Sequence, residues 1–202
     1  MSDNKNRDRI ETITIFCGSR SGELPAYIEM AKSTGLLLAE RDIQIIYGGG
    51  KVGMMGELAD ASLSAGGKVI GIIPSFLCTK EIAHDGLTEL LVVETMHERK
   101  LNMQEGCQGF ITLPGGFGTM EEFFEVLTWG QLGLHQKPIG LLNPAGYFDP
   151  LIEFLDQMVA KGFLSKQDRK MVLSADQPEN LLDQMLNYSP PPVPQWLNRS
   201  TT

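Results

Sequence analysis

Short apolar runs alternate with helical patterns along almost the whole chain. The runs are nearly continuous in Ile, Val and Leu, which is typical of strands that are covered on both faces of a sheet. We predict strands at Thr12–Phe16, Ile43–Tyr47, Lys68–Ile73, Glu89–Val93, Phe110–Leu113, Pro138–Leu142 and Met171–Ser174. We predict helices at Leu24–Arg41, Met54–Ala65, Met96–Glu105, Met120–Leu132, Phe148–Ala160 and Pro178–Asn187.

This alternation predicts the fold class. Parallel strands need crossover connections, and the helices predicted after all but the third strand supply them. We therefore expect an α/β protein with a doubly wound, mostly parallel sheet, in a Rossmann-like three-layer αβα arrangement. The length of 202 residues suits one such domain, which we expect over residues 1–188. Residues 189–202 (SPPPVPQWLNRSTT) contain four prolines, so we expect a loose or surface-docked tail in which Trp196 is a candidate contact.

The charge balance limits the classes of partner. Seventeen Lys and Arg against 25 Asp and Glu give a formal net charge of −8. Such a surface repels phosphate backbones, so we expect no nucleic-acid polymer and no acidic membrane as a partner. A local cluster of donors can still hold one small anion.

Cysteine and histidine usage indicates the compartment. Cys17, Cys78 and Cys107 are odd in number and share no paired spacing, which favours reduced thiols and a cytoplasmic protein. The three histidines are equally scattered, so we expect no structural metal. The chain starts with a polar segment, and no stretch reaches the ~20 apolar residues that span a bilayer.

The glycines cluster directly after predicted strands. Gly18 follows the first strand, a run of three glycines at 48–50 follows the second, and Gly115-Gly116-Phe117-Gly118 follows the fifth. In open α/β sheets, ligands bind at the carboxyl ends of the strands, where glycine lets backbone N–H groups approach a phosphate. Tight strand-to-helix turns are the alternative explanation of each loop taken alone.

Two common nucleotide motifs fail at specific residues. Gly48, Gly50 and Gly53 match GxGxxG, but the next strand ends without the acidic residue that a dinucleotide site requires. A P-loop is excluded because Val52 stands where Ser or Thr would bind Mg²⁺.

The third glycine loop leads into a segment with two competing interpretations. Thr119 and Glu122 have the spacing of a helix capping box, a purely structural role. The alternative is an anion site at the helix start with a carboxylate one turn further on. Successive helical residues diverge by ~100°, so Glu121 and Glu122 cannot both face one ligand atom.

Positive charge for such a site is offered by Met96-His97-Glu98-Arg99-Lys100, at the start of a predicted helix. Arg99 is the better candidate, because its planar guanidinium binds phosphate or carboxylate with two hydrogen bonds. A solvated helix face is the alternative interpretation of this segment.

Both segments resemble one family. Pro114–Glu122 has the form PGGxGTxxE and Met96–Lys100 the form MHxRK; both are similar to the LONELY GUY family of cytokinin-activating phosphoribohydrolases, which has often carried the label "possible lysine decarboxylase". FCGSRSG, YGGGKVGMMG and EVLTWGQLGLHQKPIGLLN extend the resemblance, which covers roughly Ile13 to Ser174.

The resemblance implies a function and a set of residues. The family hydrolyses the N-glycosidic bond of nucleoside 5′-monophosphates, here cytokinin riboside 5′-monophosphate or AMP, to free base and ribose 5-phosphate, without a cofactor. Arg99 and Glu122 match its catalytic pair. The implied substrate-binding residues are Glu81, Arg99, Lys100, Gly116, Phe117, Gly118, Thr119, Met120, Glu121, Glu122 and Thr128. Around Glu81 this chain departs from the family pattern, and Arg20 replaces a frequent Ser.

The chemistry agrees with these residue types. Cleavage of a ribosyl C–N bond builds positive charge at C1′. A carboxylate such as Glu122 can stabilise this charge or activate the water that attacks C1′. Arg99 would position the substrate and polarise it. A lysine decarboxylase that uses pyridoxal phosphate would need a Schiff-base lysine, and neither Lys51 nor Lys100 has the surrounding pattern. A nucleotide-binding carrier or sensor without turnover remains the alternative function.

The predicted helix after Glu122 is apolar nearly all round. Such a helix is buried on more than one side, either within one chain or by a second subunit. The family resemblance implies a homodimer with the active site near the subunit interface.

Overall fold

Within the part of the chain that the structure describes, seven parallel strands form the central sheet. The structure is a computed structural model that describes residues 10–79 and 82–192. The strands are β1 (Thr12–Phe16), β2 (Gln44–Tyr47), β3 (Val69–Pro74), β4 (Glu89–Val93), β5 (Gly109–Thr112), β6 (Ile139–Leu142) and β7 (Val172–Ala175). Each predicted strand is confirmed to within one residue at either end. Continuous apolar runs locate the inner strands well because both faces of the sheet are covered there, whereas the edge strand β4 is largely exposed.

The helices lie between the strands as the alternation predicts. They are α1 (Pro25–Glu40), α2 (Gly53–Ser64), α3 (Met96–Glu105), α4 (Phe117–Gln131), α5 (Asp149–Ala160), α6 (Lys166–Arg169) and α7 (Pro178–Leu186). The short α6 is an element that the sequence patterns do not predict; Ser165 caps it by accepting from the Asp168 N–H. Single 3₁₀ turns occur at Ser75–Leu77 and Pro144–Gly146.

The strand order is β4-β3-β2-β1-β5-β6-β7. The chain therefore builds one half of the sheet outward from β1, then returns to place β5 on the other side of β1. Every pairing between these strands is parallel. This confirms the doubly wound α/β class, and it makes the carboxyl ends of β1 and β5 the topological switch point, where such sheets bind ligands.

Helices cover both faces of the sheet. On one face, α1, α2 and α7 pack around a core that includes Ile13, Tyr47 and Leu58. On the other face, α3, α4 and α5 pack around Phe110 and Phe123. The result is the three-layer αβα arrangement that the sequence predicts.

The start of α4 corrects one interpretation of the sequence. The helix begins at Phe117, three residues before the predicted Met120, and its N-cap is Gly116. Thr119 therefore lies inside the first turn and Glu122 in the second, so the capping-box interpretation of this pair is wrong. A capping box does occur at α3, where Thr95 Oγ1 accepts from the Glu98 N–H and Glu98 reaches back to the Thr95 N–H.

The first residues of the proline-rich tail fall within the described part. Pro190, Pro191 and Pro192 line a small recess together with Lys137 and Met171. The prediction for Trp196 falls outside the described residues, as do all of residues 193–202. Among the residues that are described, no helix is long and apolar enough to cross a bilayer.

Candidate functional site

A cavity of about 430 Å³ opens at the switch point of the sheet. The loops after β1 and β5, the first turns of α2 and α4, and one side chain from α3 form its walls. The lining residues are Cys17, Gly18, Ser19, Arg20, Gly22, Tyr27, Met54, Met55, Arg99, Pro114, Gly115, Gly116, Phe117, Gly118, Thr119, Glu122 and Tyr147. Two of the three predicted glycine loops thus meet at one ligand-sized space, while the loop at 48–50 lies behind it.

A buried ion pair lies in this cavity. Arg99 NH1 donates to Glu122 Oε1 at 2.9 Å, joining α3 to α4. Arg99 is 8% exposed and Glu122 is 7% exposed. The interpretation of Arg99 as part of a solvated helix face is therefore wrong, and the two residues that the resemblance implies as a catalytic pair are in direct contact.

The environment of Glu122 changes its acidity. Burial raises the pKa of its carboxyl above the ordinary value, although the adjacent Arg99 guanidinium acts in the opposite direction. Desolvation is the larger of these two effects because little water reaches the pair. A carboxyl of this kind takes and releases a proton more readily near neutral pH than a solvent-exposed glutamate does.

The N-terminus of α4 faces the same cavity. Its first intrahelical bond runs from the Met120 N–H to the Gly116 carbonyl, so the N–H groups of Phe117, Gly118 and Thr119 precede the helical ladder. Within the described residues, no side chain caps this helix. The helix start therefore presents free donors and partial positive charge to a ligand anion.

The glycine turn before α4 is shaped by close backbone approach. A Cβ on Gly115 would lie 2.1 Å from Oγ1 of Thr119 and 2.9 Å from the backbone N of Gly18. The Gly18 N–H donates to the Pro114 carbonyl at 2.9 Å, and the Tyr147 hydroxyl donates to the Gly115 carbonyl at 2.6 Å. These bonds fix the turn against the loop after β1 and the segment after β6.

The other predicted site residues that the structure describes lie outside the cavity lining. Lys100 Nζ donates to Glu121 Oε1 at 2.5 Å and to Glu125 Oε1 at 2.9 Å, on the outer side of α3 and α4. Met120 packs against the core, and the Thr128 hydroxyl donates to the Phe124 carbonyl within the helix. Glu81 is not among the described residues.

Several lining residues were not predicted. Met54 and Met55 follow Gly53, just after the glycine run at 48–50, and this position in the sequence could have indicated that they line the cavity. Tyr27 and Tyr147 meet edge to face, with ring centroids 5.7 Å apart, across segments distant in sequence. Cys17 lies beside the ion pair, and burial, with Glu122 adding to it, raises the pKa of its thiol, so it stays protonated.

Fold and site together define the class: an α/β protein with free helix amides and a buried carboxylate–guanidinium pair at the switch point of its sheet. Residues 55–185 match the family model described as "Possible lysine decarboxylase", and the chain belongs to this family. It is 44% identical over 186 residues to the cytokinin riboside 5′-monophosphate phosphoribohydrolase LOG7 of Arabidopsis thaliana, covering 92% of this chain and 86% of that protein. It is 41% identical over 186 residues to the phosphoribohydrolase LOG of Oryza sativa subsp. japonica, covering 92% and 77%.

Solved structures share the fold at lower identity. The molybdenum cofactor carrier protein of Chlamydomonas reinhardtii matches with a TM-score of 0.68 and 21% identity, over 89% of this chain and 100% of that chain. The molybdenum cofactor binding protein of Rippkaea orientalis matches with a TM-score of 0.66 and 22% identity, over 89% and 97%. These likenesses concern the architecture.

Proposed function

We propose that this chain is a phosphoribohydrolase that cleaves the N-glycosidic bond of nucleoside 5′-monophosphates. The products are the free base and ribose 5-phosphate. The observation that carries the proposal is the buried Arg99–Glu122 pair, 2.9 Å apart, in a cavity that also receives the free N–H groups of α4. The curated relatives named above carry this activity in their names.

The substrate's 5′-phosphate binds at the start of α4. The N–H groups of Phe117, Gly118 and Thr119 point out of the helix end, and a dianionic phosphate is stabilised there by hydrogen bonds and by the helix dipole. The glycine turn at 115–116 lets the phosphate approach the backbone closely. This anchors the ribose with its anomeric carbon towards Glu122.

Glu122 and Arg99 carry the chemical step. The C1′–N bond breaks with its electron pair leaving on the base, and positive charge develops at C1′. The Glu122 carboxylate stabilises that charge or takes a proton from the attacking water, whose oxygen forms the new bond to C1′. The proton ends on the departing base. Arg99 holds the carboxylate in place and orients the ribose by charge-assisted hydrogen bonds.

We propose that the remaining described residues of the implied set support the site indirectly. Lys100, Met120, Glu121 and Thr128 lie on α3 and α4 but outside the lining of the cavity. Lys100 on α3 forms ion pairs with Glu121 and Glu125 on α4, and these pairs help to hold the two helices together next to the cavity. Thr128 lies on the exposed side of that helix, where a second subunit would meet it.

The proposal is tested by base release from a panel of nucleoside monophosphates, including AMP and isopentenyladenosine monophosphate, followed by chromatography. Glu122→Gln should lower kcat/KM by at least about 100-fold, because the carboxylate is lost while its shape is kept. Arg99→Ala should lower it by about 100-fold or more.

Two positions outside the cavity lining, exposed Glu153 and half-buried Arg169, give matched controls for these variants. Glu153→Gln on α5 and Arg169→Ala on α6 make the same chemical changes away from the cavity and should retain wild-type turnover. Turnover near normal in Glu122→Gln or Arg99→Ala would overturn the assignment. Nucleotide binding without base release by the wild type would instead support a carrier or sensor.

The family description, "Possible lysine decarboxylase", suggests an alternative reaction that would use pyridoxal phosphate. This group needs a lysine amine in its pocket to form a Schiff base. Among the described residues that line the cavity, none is a lysine, and Lys100 is engaged by two carboxylates on the outer side of α4. The residues present do not fit this cofactor, so we derive no step through it.

We also propose a homodimer formed through the α3–α4–α5 face. This face exposes Leu101, Leu132, Leu134 and Phe154, and it leaves Phe124, Leu127 and Trp129 of α4 half-buried. Clustered apolar side chains on one outer surface are typical of a subunit interface. The partner surface is a second copy of the same face.

We place the protein in the cytoplasm. Its three cysteines are free in the structure, with Cys17 and Cys107 buried. Reduced thiols are typical of proteins of this compartment. Fractionation of cells that express the protein would test the assignment.

A further inference from the structure

The side chain of Arg99 reaches Glu122 across the carboxyl ends of β2 and β3. It starts on α3, passes the end of β3, where Nε donates to the Ile72 carbonyl at 3.1 Å, and ends with NH1 2.9 Å from Glu122 Oε1. Two hydrogen bonds thus fix two edges of the guanidinium. The third edge, which carries NH2, faces Gly48 at the end of β2.

Gly48 leaves the space that this third edge occupies. A Cβ at Gly48 would lie 2.3 Å from Arg99 NH2, well inside any permitted contact, and 3.5 Å from Arg99 Cζ, an ordinary contact. The backbone of Gly48 is not in the left-handed region, unlike that of its neighbour Gly49 with φ +76°. An L-residue would therefore fit the backbone at 48, and the guanidinium is what requires a glycine there.

We propose that Gly48 is a positioning residue for Arg99, and that the absence of a Cβ directly after β2 allows the guanidinium to bind the Ile72 carbonyl and Glu122 at the same time. The proposal rests on the phosphoribohydrolase activity for its kinetic consequences. It also assigns a role to the second glycine loop, which does not line the cavity and which matches neither common nucleotide motif.

A side chain at position 48 would displace the Arg99 guanidinium and leave the backbone fold unchanged. The atom nearest to the added Cβ is the far end of a side chain, which can move away, whereas the backbone around it can stay in place. Gly56 differs, because there a Cβ would lie 2.1 Å from the Lys51 carbonyl oxygen. Gly48→Ala should therefore fold normally while Arg99 loses its alignment with Glu122.

Gly50 offers a matched control in the same loop. Its backbone is also outside the left-handed region, and the atom nearest to an added Cβ is Met55 Sδ at 3.0 Å, on a flexible side chain. Gly50→Ala makes the same chemical change two residues away and leaves the guanidinium untouched.

The kinetic test compares these variants in base release from AMP. Gly48→Ala should lower kcat by about 100-fold, as expected when a catalytic group is displaced by about 1 Å, with KM changed far less because the phosphate is held by α4. Gly50→Ala should remain close to the wild type. Equal turnover of Gly48→Ala and Gly50→Ala would overturn the proposal.

A double-mutant cycle separates positioning from a general structural effect. Lysine at position 99 ends near the place of Cζ, where a Cβ at residue 48 makes only ordinary contact. In the Arg99→Lys background, Gly48→Ala should therefore cause little further loss, so the two effects are strongly non-additive. Full additivity would mean that Gly48 acts independently of Arg99.

A spectroscopic readout does not depend on activity. In the wild type and in Gly50→Ala, the Arg99 Hε, which is bonded to the Ile72 carbonyl, should give a slowly exchanging ¹H–¹⁵N resonance, assigned by its loss in Arg99→Lys. In Gly48→Ala this resonance should shift and exchange faster. An unchanged resonance would overturn the positioning role, whereas absence of base release by the wild type would overturn only the proposed function.

Discussion

Two adjacent glutamates on α4 show how one helical step separates two roles. Glu122 is buried against Arg99, while Glu121 is exposed and bound to Lys100. The sequence predicts that they diverge, because successive helical residues point ~100° apart. It does not show which of them faces the site. That choice follows from the rotation of α4 about its axis, which packing against the sheet determines.

The acidity of Glu122 makes a prediction for the pH profile. In the proposed reaction its carboxyl is ionised to stabilise charge at C1′, and burial raises its pKa above the ordinary 4.5. Activity should therefore be present above the raised pKa and be lost as pH falls through it. We expect the acid limb of kcat/KM to have its midpoint above 4.5, measured from pH 4 to 9.

The substrate also titrates in this range, since a phosphate monoester has a second pKa of about 6. The affinity of the Glu122→Gln variant for ribose 5-phosphate, measured over the same pH range, reports the effect of phosphate titration without that of Glu122. After it is removed, an acid limb at or below 4.5 would contradict the assignment of Glu122.

At the scale of elements, the starts of α3 and α4 are built in opposite ways. Thr95 and Glu98 satisfy the first N–H groups of α3 with their own side chains. At α4 the N-cap is Gly116, with no described side chain as a cap. A capped helix start contributes stability, whereas an uncapped one leaves its donors for a ligand. The sequence pattern of a capping box occurs at both helices, so it could not distinguish them.

Thr95→Ala should lower the free energy of unfolding by about 1 kcal/mol, because the cap at the start of α3 is lost. Turnover should fall as well, since Arg99 forms the first intrahelical bond of α3, to the Thr95 carbonyl. Chemical denaturation measures the first effect and base release the second.

Thr128→Ala is the matched control for stability. The Thr128 hydroxyl is bonded to a carbonyl within its own helix, and alanine is the better helix former, so the free energy of unfolding should stay constant or rise by a few tenths of a kcal/mol. Equal destabilisation by the two variants would argue against the Thr95 cap.

For the whole molecule, the order of the strands brings the site together. Residues after β1 and β5 are about 100 positions apart in the chain, yet the strands pair directly, with Phe16 opposite Thr112. The chain reverses its direction of sheet growth at this point. A crevice opens there because the helices after the two strands lie on opposite faces of the sheet.

The proposed dimer predicts a difference between two leucines on opposite faces. Leu132 at the end of α4 is 37% exposed, and Leu36 on α1 is 41% exposed. Leu132→Arg should weaken the dimer, since it introduces a charge into the apolar interface. Leu36→Arg should leave the dimer intact. Light scattering over a range of protein concentrations measures both, and a wild type that is monomeric throughout would contradict the interface.

The sequence by itself determined a good part of this protein. Continuous apolar runs gave the seven strands and the parallel α/β class, because strands covered on both faces have no polar side. The glycine loops indicated the edge of the sheet at which the cavity opens, and the segments PGGFGTMEE and MHERK contain the two residues of the buried ion pair. These features depend on neighbours in the chain, so local patterns record them.

Only the tertiary structure decided how these parts meet. It paired β1 with β5, turned Glu122 rather than Glu121 inward, buried Arg99, and set Tyr27 and Tyr147 in one wall of the cavity. It also showed that Gly48, in a loop behind the cavity, makes room for the guanidinium. Such contacts join residues that are far apart in the chain, and their geometry follows from strand order and helix packing, which no local spacing encodes.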